Sequence, residues 1–223
     1  MTMHLMRELE QLKRRIFSVV AMVEDNLSLA VKAVQERDRS SALRVIEKDA
    51  EIDHAEVDVE EECLKILALY QPVARDLRFL VAVLKLNNDL ERIGDLAVNI
   101  AERAVFLHAI PAAPIPSELD SMARKATQMM KRSIDALVGS DVETATEVCK
   151  ADDEVDAINR RMYEQIKAAI REHPEHLDAL IHLLAVSKCL ERVADHATNI
   201  AEDVIYLVNG HIVRHGRDVV SQR

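Results

Sequence analysis

Glycine and proline are rare in this chain, and this scarcity restricts its fold more than any other feature. The sequence holds 4 Gly and 5 Pro among 223 residues, whereas average usage would be about 12% for the two together. Too few turn residues are present for an all-β fold or for the glycine-rich loops of a Rossmann-type nucleotide fold. The prolines separate long periodic segments: Pro72 and Pro174 stand alone, and the other three lie within residues 110–117 (IPAAPIPS).

The segments between these prolines have the apolar periodicity of α-helices, so the chain is predicted to be all-α. Six helices are expected, at residues 5–36, 40–70, 73–109, 117–138, 141–172 and 175–209. Gly139 and Gly210 lie where helices should end, and Ser140 with Glu143 has the S-x-x-E spacing of a capping box. Helices of this length would be rods of about 45–55 Å, and short connections between such rods favour antiparallel bundles.

The order of the six helices is explained by an internal duplication. The segment 90–102 (LERIGDLAVNIAE) returns 100 residues later at 190–202 (LERVADHATNIAE), with nine of thirteen positions identical. The second helices of the two halves align less closely, at an offset of 103. We therefore predict two tandem antiparallel three-helix bundles related by duplication. Their expected bounds are 1–110 for the first repeat, 111–117 for a Pro-rich linker, 118–212 for the second repeat and 213–223 for a polar tail.

Charge and aromatic content exclude several classes of function. The net charge is −10, and the chain has 3 Tyr, 3 Phe and no Trp. Binding to nucleic acid or to an anionic membrane needs a positive surface, and base stacking needs aromatic side chains, so neither is expected. No run of 18 apolar residues occurs, and no signal peptide is expected from the N-terminal residues. The 3 Cys include no CxxC pair, which suits reduced thiols and a cytoplasmic location.

Four acidic pairs have the i, i+4 spacing that places two side chains on one face of a helix. They are Asp49 and Asp53, Glu91 and Asp95, Asp152 and Asp156, and Glu191 and Asp195. The spacing alone carries little weight, because at this acid content about seven such same-face pairs are expected by chance. These four pairs, however, recur between the two halves. The same recurrence holds for four further residues of the stripe that flanks the apolar seam: Asn99, Glu102, Asn199 and Glu202.

Carboxylate pairs on neighbouring helices repel each other, and a cation between them would offset the repulsion. Ligands that are all oxygen favour hard ions, here Mg²⁺, Mn²⁺, Ca²⁺ or iron. In the competing interpretation, Arg92 and Arg192 neutralise the acids. His54 and His196 each follow an acidic residue of a pair and are candidates for additional ligands. A di-iron oxidase is disfavoured, because it needs two Glu-x-x-His motifs and only Glu51 with His54 matches.

Three extended motifs occur in a fixed order along the chain: QPVARDLR at 71–78, DLERIGDLAVNIAE at 89–102 and LERVADHATNIAEDVIYLVNG at 190–210. Together they resemble the PhoU family, the phosphate-transport accessory and regulatory proteins of bacteria. The resemblance runs from about residue 5 to residue 212. It implies two tandem three-helix bundles, with metal ions held on E/D-x-x-x-D motifs that correspond to the four acidic pairs. The ion implied is Mg, Mn, Ca, Fe or Zn.

The resemblance also implies a function. The protein would be a negative regulator of the phosphate-starvation response. It would act as a cytoplasmic adaptor between the ATPase subunit of the high-affinity phosphate ABC transporter and a phosphate sensor histidine kinase. No catalysis is implied, and no phosphate loop or nucleophile elbow is present. A homodimer is expected. The alternatives are a metal-binding helical bundle of storage or metal-dependent enzymatic type, and a plain scaffold whose acid stripes aid solubility.

The two halves differ at the start of their third helices. Arg75 and Arg78 in the first half have no arginine counterparts in the second half. Arginine suits bidentate contact with carboxylates. These two residues are therefore candidates for contact with a partner protein or for a clamp between helices. The alternative is a pair of salt bridges that fixes the start of the third helix.

Overall fold

The computed structural model describes residues 3–209, which form six α-helices and one short 3₁₀ turn. The helices are α1 Met3–Glu36, α2 Arg39–Tyr70, α3 Ala74–Ala109, α4 Glu118–Gly139, α5 Val142–Glu172 and α6 Leu177–Asn209, and the 3₁₀ turn is Pro174–His176. The all-α prediction is confirmed, and the helix ends differ from the predicted ones by two residues at most. Gly210 and the predicted polar tail lie outside the described residues. None of the helices in residues 3–209 has both the length and the apolarity to cross a membrane.

Helices α1 to α3 form one bundle and α4 to α6 form the other, which confirms the predicted pair of three-helix bundles. Burial follows the duplication. In α2 and α5 most buried positions coincide at an offset of 103, as Val45 does with Val148. In α3 and α6 most of them coincide at an offset of 100, as Leu90 does with Leu190. The apolar seam that the repeat predicts on α3 and α6 is buried along its whole length.

The two bundles lie side by side through an antiparallel contact between α3 and α6. At one end, the Arg78 guanidinium donates a hydrogen bond to the Leu207 carbonyl at 3.2 Å. At the other end, the Phe106 ring stacks on the His182 ring with centroids 5.1 Å apart. Contacts at both ends mean that the two central helices touch over most of their length. The bundles therefore share one extended interface.

In both halves an aspartate caps the second helix directly after the turn that ends the first. Asp141, not Ser140, caps α5: its carboxylate accepts hydrogen bonds from the backbone N–H groups of Glu143 at 3.0 Å and Thr144 at 3.1 Å. The predicted capping box at Ser140 is wrong, because Ser140 has φ 54° and ends α4 in the left-handed conformation. Gly139, expected just past the end of α4, is its last residue. Asp38 caps α2 in the matching way.

Candidate metal centres and inter-bundle contacts

The first acidic cluster joins two neighbouring helices of the first bundle. Its members are Asp49 and Asp53 on α2 and Glu91 and Asp95 on α3. Burial is the main reason that the pKa of Asp49 is raised, and the charges of the other three carboxylates raise it further. A Cβ added at Gly94 would lie 3.7 Å from Oδ1 of Asp49, so this carboxylate lies against the backbone of α3. The structure thus brings together two acidic pairs that the repeat analysis selected separately.

The second acidic cluster has the same construction in the second bundle. Its members are Asp152 and Asp156 on α5 and Glu191 and Asp195 on α6. Burial raises the pKa of Asp152 to about 6, and the charges of Asp195 and Asp156 add to this shift. Burial likewise raises the pKa of Asp195, followed by the charges of Glu191 and Asp156. The charges that raise these pKa values come from both helices, so carboxylates of α5 and α6 repel each other across the helix boundary.

Cations neutralise the clusters only in part. Arg92 contacts Glu91 and Asp95, each with a nitrogen-to-oxygen distance of 3.3 Å, so the neutralising network expected in the first half is present. In the second half Lys188, not Arg192, contacts the cluster, at 2.8 Å from Glu191. The side chains of Arg92 and Lys188 are more than half exposed, so each pair contributes on the order of 0–1 kcal/mol. Repulsion within the clusters therefore persists.

Two residues beside the clusters were missed by sequence reasoning. Glu56 of α2 has a raised pKa, first through burial and then through the charges of Glu60 and Glu91. It accepts a hydrogen bond from the Asn87 side chain at 2.7 Å. The repeat could not reveal it, because the matching residue in the second half is Asn159. Near Asp152, the Thr198 hydroxyl lowers the pKa of that carboxyl, yet its buried oxygen makes no hydrogen bond of standard geometry within residues 3–209.

The donor chemistry of both clusters fits a hard cation. As the side chains lie, no three His, Cys, Asp or Glu residues within 3–209 converge on one point closely enough to hold a metal ion. The donors available are carboxylates, with the unsatisfied Thr198 hydroxyl beside the second cluster. Such oxygen donors suit Mg²⁺, Mn²⁺ or Ca²⁺ better than Zn²⁺, which favours nitrogen and sulfur ligands. Rotation of exposed side chains would be needed to complete either site.

Both candidate histidines have other contacts. Nδ1 of His54 lies in hydrogen-bond contact with the Ala50 carbonyl of its own helix. Nδ1 of His196 lies 2.8 Å from Oδ1 of Asp89 on α3, so this pair bridges the two bundles. His196 also lowers the pKa of Asp195, as a smaller contribution than burial and the neighbouring acids. It therefore stands at the edge of the second cluster, with its ring directed to the first bundle.

The remaining residues of the stripe differ between the halves. The Asn99 side chain donates a hydrogen bond to the Asp95 carbonyl at 2.9 Å, so it bonds to the backbone of its own helix. Glu102 and Asn199 are exposed. Glu202 is half-buried and lies near Cys149, whose pKa is raised to about 11, mainly by burial and then by the charges of Glu202 and Asp152. Only Glu202 of these residues therefore extends an acidic cluster.

The two arginines that distinguish the first half both reach the second bundle. Arg75 is exposed and donates a hydrogen bond to the Ser140 hydroxyl at 3.1 Å, in the turn between α4 and α5. Arg78 is half-buried and binds the Leu207 carbonyl near the end of α6. Their geometry matches the clamp between helices, and the exposure of Arg75 leaves its guanidinium open to a partner protein as well. The neighbouring Ala74 has φ 50°, an unusual conformation for a residue with a side chain.

Repulsion in the second cluster gives an expected pH dependence. A carboxyl whose pKa is higher in the folded than in the unfolded chain binds its proton first in the folded state, so folding is favoured as the pH falls. In buffer with EDTA, lowering the pH from 7.5 to 5.5 should therefore add roughly 1 kcal/mol at Asp152, after allowance for its half-exposed position. Urea unfolding of the wild type and of Asp152→Asn measures this difference.

The control for this experiment is Asp135→Asn, which changes an exposed carboxylate of α4 outside both clusters. At pH 7.5 the Asp152→Asn variant should be the more stable chain, and the gap should narrow at pH 5.5. A gap that is the same at both pH values, or the same for Asp135→Asn, would contradict the proposed repulsion.

Comparisons with known proteins agree with this geometry. The family model described as "PhoU domain" matches twice, at residues 16–104 and 119–204. The phosphate-specific transport system accessory protein PhoU homolog of Clostridium acetobutylicum is 34% identical over 204 residues, 91% of this chain and 93% of that protein. The homolog of Aquifex aeolicus is 36% identical over 213 residues and 96% of both chains.

Two solved structures share the fold. The crystal structure of PhoU from Pseudomonas aeruginosa matches with a TM-score of 0.87 and 33% identity, over 92% of this chain and 99% of that one. The phosphate transport system regulatory protein PhoU from Streptococcus pneumoniae matches with a TM-score of 0.88 and 26% identity, over 95% and 100%. The likeness extends over both bundles in each case.

Proposed function

The chain belongs to the PhoU family, and from that premise we propose that it is a negative regulator of the phosphate-starvation response. It acts in the cytoplasm as an adaptor between two partners. One is the ATPase subunit of the high-affinity phosphate ABC transporter, and the other is a phosphate sensor histidine kinase. In this role it controls phosphate uptake and works as a homodimer.

The observation that carries this proposal is the match of both halves to PhoU domains, together with the names of the relatives. Those proteins are described as phosphate-specific transport system accessory proteins, and the Streptococcus pneumoniae structure as a phosphate transport system regulatory protein. Accessory and regulatory names favour a role in protein contacts over a role in catalysis. The exposed guanidinium of Arg75 is a positive charge on the surface that is available for such contacts.

We propose in addition that the two acidic clusters bind divalent metal ions. Asp49, Asp53, Glu91 and Asp95 would hold one ion or more, and Asp152, Asp156, Glu191 and Asp195 would do so in the second bundle. A bound ion would supply the positive charge that offsets carboxylate repulsion between neighbouring helices. Added Mn²⁺ or Mg²⁺ should then raise the unfolding temperature of the wild type by more than that of Asp152→Asn/Asp195→Asn, which keeps only the first cluster intact. An equal rise in both would contradict the assignment of the second cluster.

The regulatory proposal is tested in a strain that lacks this gene and carries a phosphate-starvation reporter. In phosphate-rich medium the reporter should be on without the gene and off when the wild-type gene is restored. Arg75→Glu should leave the reporter on, because it reverses an exposed charge that we assign to partner contact. Its fold should persist, since surface substitutions of this kind change stability by about 0.5 kcal/mol or less.

Two control variants sharpen the result. Arg171→Glu reverses another exposed charge, at the end of α5, and should repress normally. Ser140→Ala removes the hydrogen-bond partner of Arg75 without changing charge, so it separates a clamp between bundles from contact with a partner. A reporter that stays off in the strain without the gene would refute negative regulation, and normal repression by Arg75→Glu would refute the partner contact.

A further inference from the structure

An apolar groove runs between α5 and α6 on the surface of the second bundle. It encloses about 830 Å³. Its apolar lining comes from Tyr163 on α5 and from Ile181, Leu184 and Ala185 on α6. Tyr163 and Ile181 are each 50% exposed, so two large side chains of the groove face solvent instead of the core. Of the residues that line the groove, Lys188 is the one that contacts an acidic cluster, through Glu191.

Two apolar residues of the groove are not repeated in the first bundle. At the offsets of 103 and 100 that align the halves, Tyr163 corresponds to Glu60 and Ala185 corresponds to Lys85. Lys85 extends to Asp203 at 2.6 Å and lies over the Tyr206 ring. At these two positions of the lining the first bundle thus has charged side chains, whereas Ile181 and Leu184 correspond to the apolar Val81 and Leu84. Tyr163 and Ala185 therefore give the groove of the second bundle an apolar character that the matching residues of the first bundle do not have.

The charges around the groove favour an acidic ligand. Arg160 lines the groove and forms no hydrogen bond or ion pair with any residue of the described range. Lys188, the last residue of the groove on α6, contacts Glu191 at 2.8 Å. The acidic residue of the lining, Glu164, already contacts Lys167 at 3.4 Å. Arg160 is therefore an exposed positive charge that is available to a ligand, although the net charge of the chain is −10.

The α6 wall of the groove is about as long as two turns of a helix. From Ile181 to Lys188 the α6 wall is about 10 Å long, or two helical turns. A ligand helix with apolar residues at i, i+3, i+4 and i+7 would cover this wall with its apolar face. Laid between α5 and α6, it would complete an arrangement of packed helices like those already in the molecule.

We propose that the α5–α6 groove binds an amphipathic helix of a partner protein, with acidic residues beside its apolar face. The apolar face contacts Tyr163, Ile181 and Leu184, and an acidic side chain pairs with Arg160. One part of this inference rests on the adaptor role proposed above, namely that the partner belongs to the phosphate response. Binding of the helix itself follows from the shape and charge of the groove.

The experiment uses a fluorescein-labelled amphipathic peptide of about 18 residues, or five helical turns, with a leucine face flanked by glutamates. A second peptide carries lysines in place of the glutamates. Fluorescence anisotropy with the full chain should show binding of the acidic peptide and weaker binding of the basic one. Arg160→Glu should reverse this preference, because it replaces the open positive charge with a negative one.

The groove itself is tested by the double variant Tyr163→Glu/Ala185→Lys, which introduces the residues of the first half. This variant should bind the acidic peptide about tenfold more weakly, since exposed aromatic and aliphatic anchors dominate such contacts. Val81→Glu is the matched control, because Val81 is the exposed counterpart of Ile181 in the first bundle. It should bind the peptide as the wild type does. Circular dichroism establishes that each variant is folded.

Equal affinity of the wild type for the acidic and basic peptides would overturn the proposal, and so would an unchanged affinity of the double variant for the acidic peptide. A third such outcome is a wild type that is a dimer and a double variant that is a monomer. The last would assign the groove to a second copy of the chain. The reporter strain separates this proposal from the proposed function. A double variant that represses normally would refute the groove as the site of the regulatory partner and leave the regulatory role intact. A wild type that never represses would refute that role, whatever the peptide result.

Discussion

Replacing His196 with leucine should lower the free energy of unfolding by about 3 kcal/mol, because it strands a buried carboxylate. Nδ1 of His196 lies 2.8 Å from Oδ1 of Asp89, and the two side chains are only 17% and 11% exposed. The pair lies in the contact between α3 and α6. Without the imidazole, Asp89 would keep its desolvation cost and lose its hydrogen-bond partner. Urea unfolding at pH 7 measures the loss.

The duplication supplies a rescue variant for this experiment. The residues that occupy the equivalent positions in the opposite halves are Cys189 for Asp89 and Leu96 for His196. The double variant Asp89→Cys/His196→Leu should therefore recover to within about 1 kcal/mol of the wild type, because it removes both polar partners together. If His196→Leu costs less than the double variant, the pair does not stabilise the interface in the way described.

The second large effect is expected in the apolar seam. Leu90→Ala should cost about 3 kcal/mol, because Leu90 is 1% exposed and its truncation leaves a cavity in a packed helix boundary. The equivalent change Leu190→Ala in the second bundle should cost a similar amount. Leu64→Ala is the control: Leu64 is 53% exposed, so its truncation should cost about 0.5 kcal/mol or less.

The same urea curves test whether the bundles unfold together. Because α3 and α6 contact each other from Arg78 and Leu207 at one end to Phe106 and His182 at the other, damage to one bundle should weaken both. Helicity and a fluorescent label in either bundle should then report one shared transition for Leu90→Ala. Two separate transitions would mean that the interface is too weak to couple the bundles.

Much of the candidate site could be predicted from the sequence because the duplication lets equivalent positions of two similar bundles be compared. Recurrence between the halves selected the carboxylates of both clusters from a large acid excess, and the structure places them on facing helices. The same filter failed for Glu56, whose counterpart Asn159 is not acidic. Asn159 instead accepts a hydrogen bond from Ser187, the counterpart of the Asn87 that binds Glu56. The contact between helices recurs although the charge does not.

The capping prediction failed for a different reason. The S-x-x-E pattern at Ser140 is a local signal, but the chain must first leave α4 in a left-handed conformation before α5 can begin. Ser140 takes that conformation, so the capping position moves to Asp141. Competition between the end of one helix and the start of the next decides which residue caps.

The sequence by itself determined the six helices, their pairing into two bundles and the faces that carry acid. Helical periodicity and repetition are local properties, so they can be recognised without knowing which helices touch. Only the tertiary structure decided the contact between His196 and Asp89, the clamp from Arg78 to Leu207 and the α5–α6 groove. Each depends on how two elements distant in the chain, or two neighbouring helix surfaces, lie against each other. That packing is set by the summed fit of many side chains, which no single spacing in the sequence records.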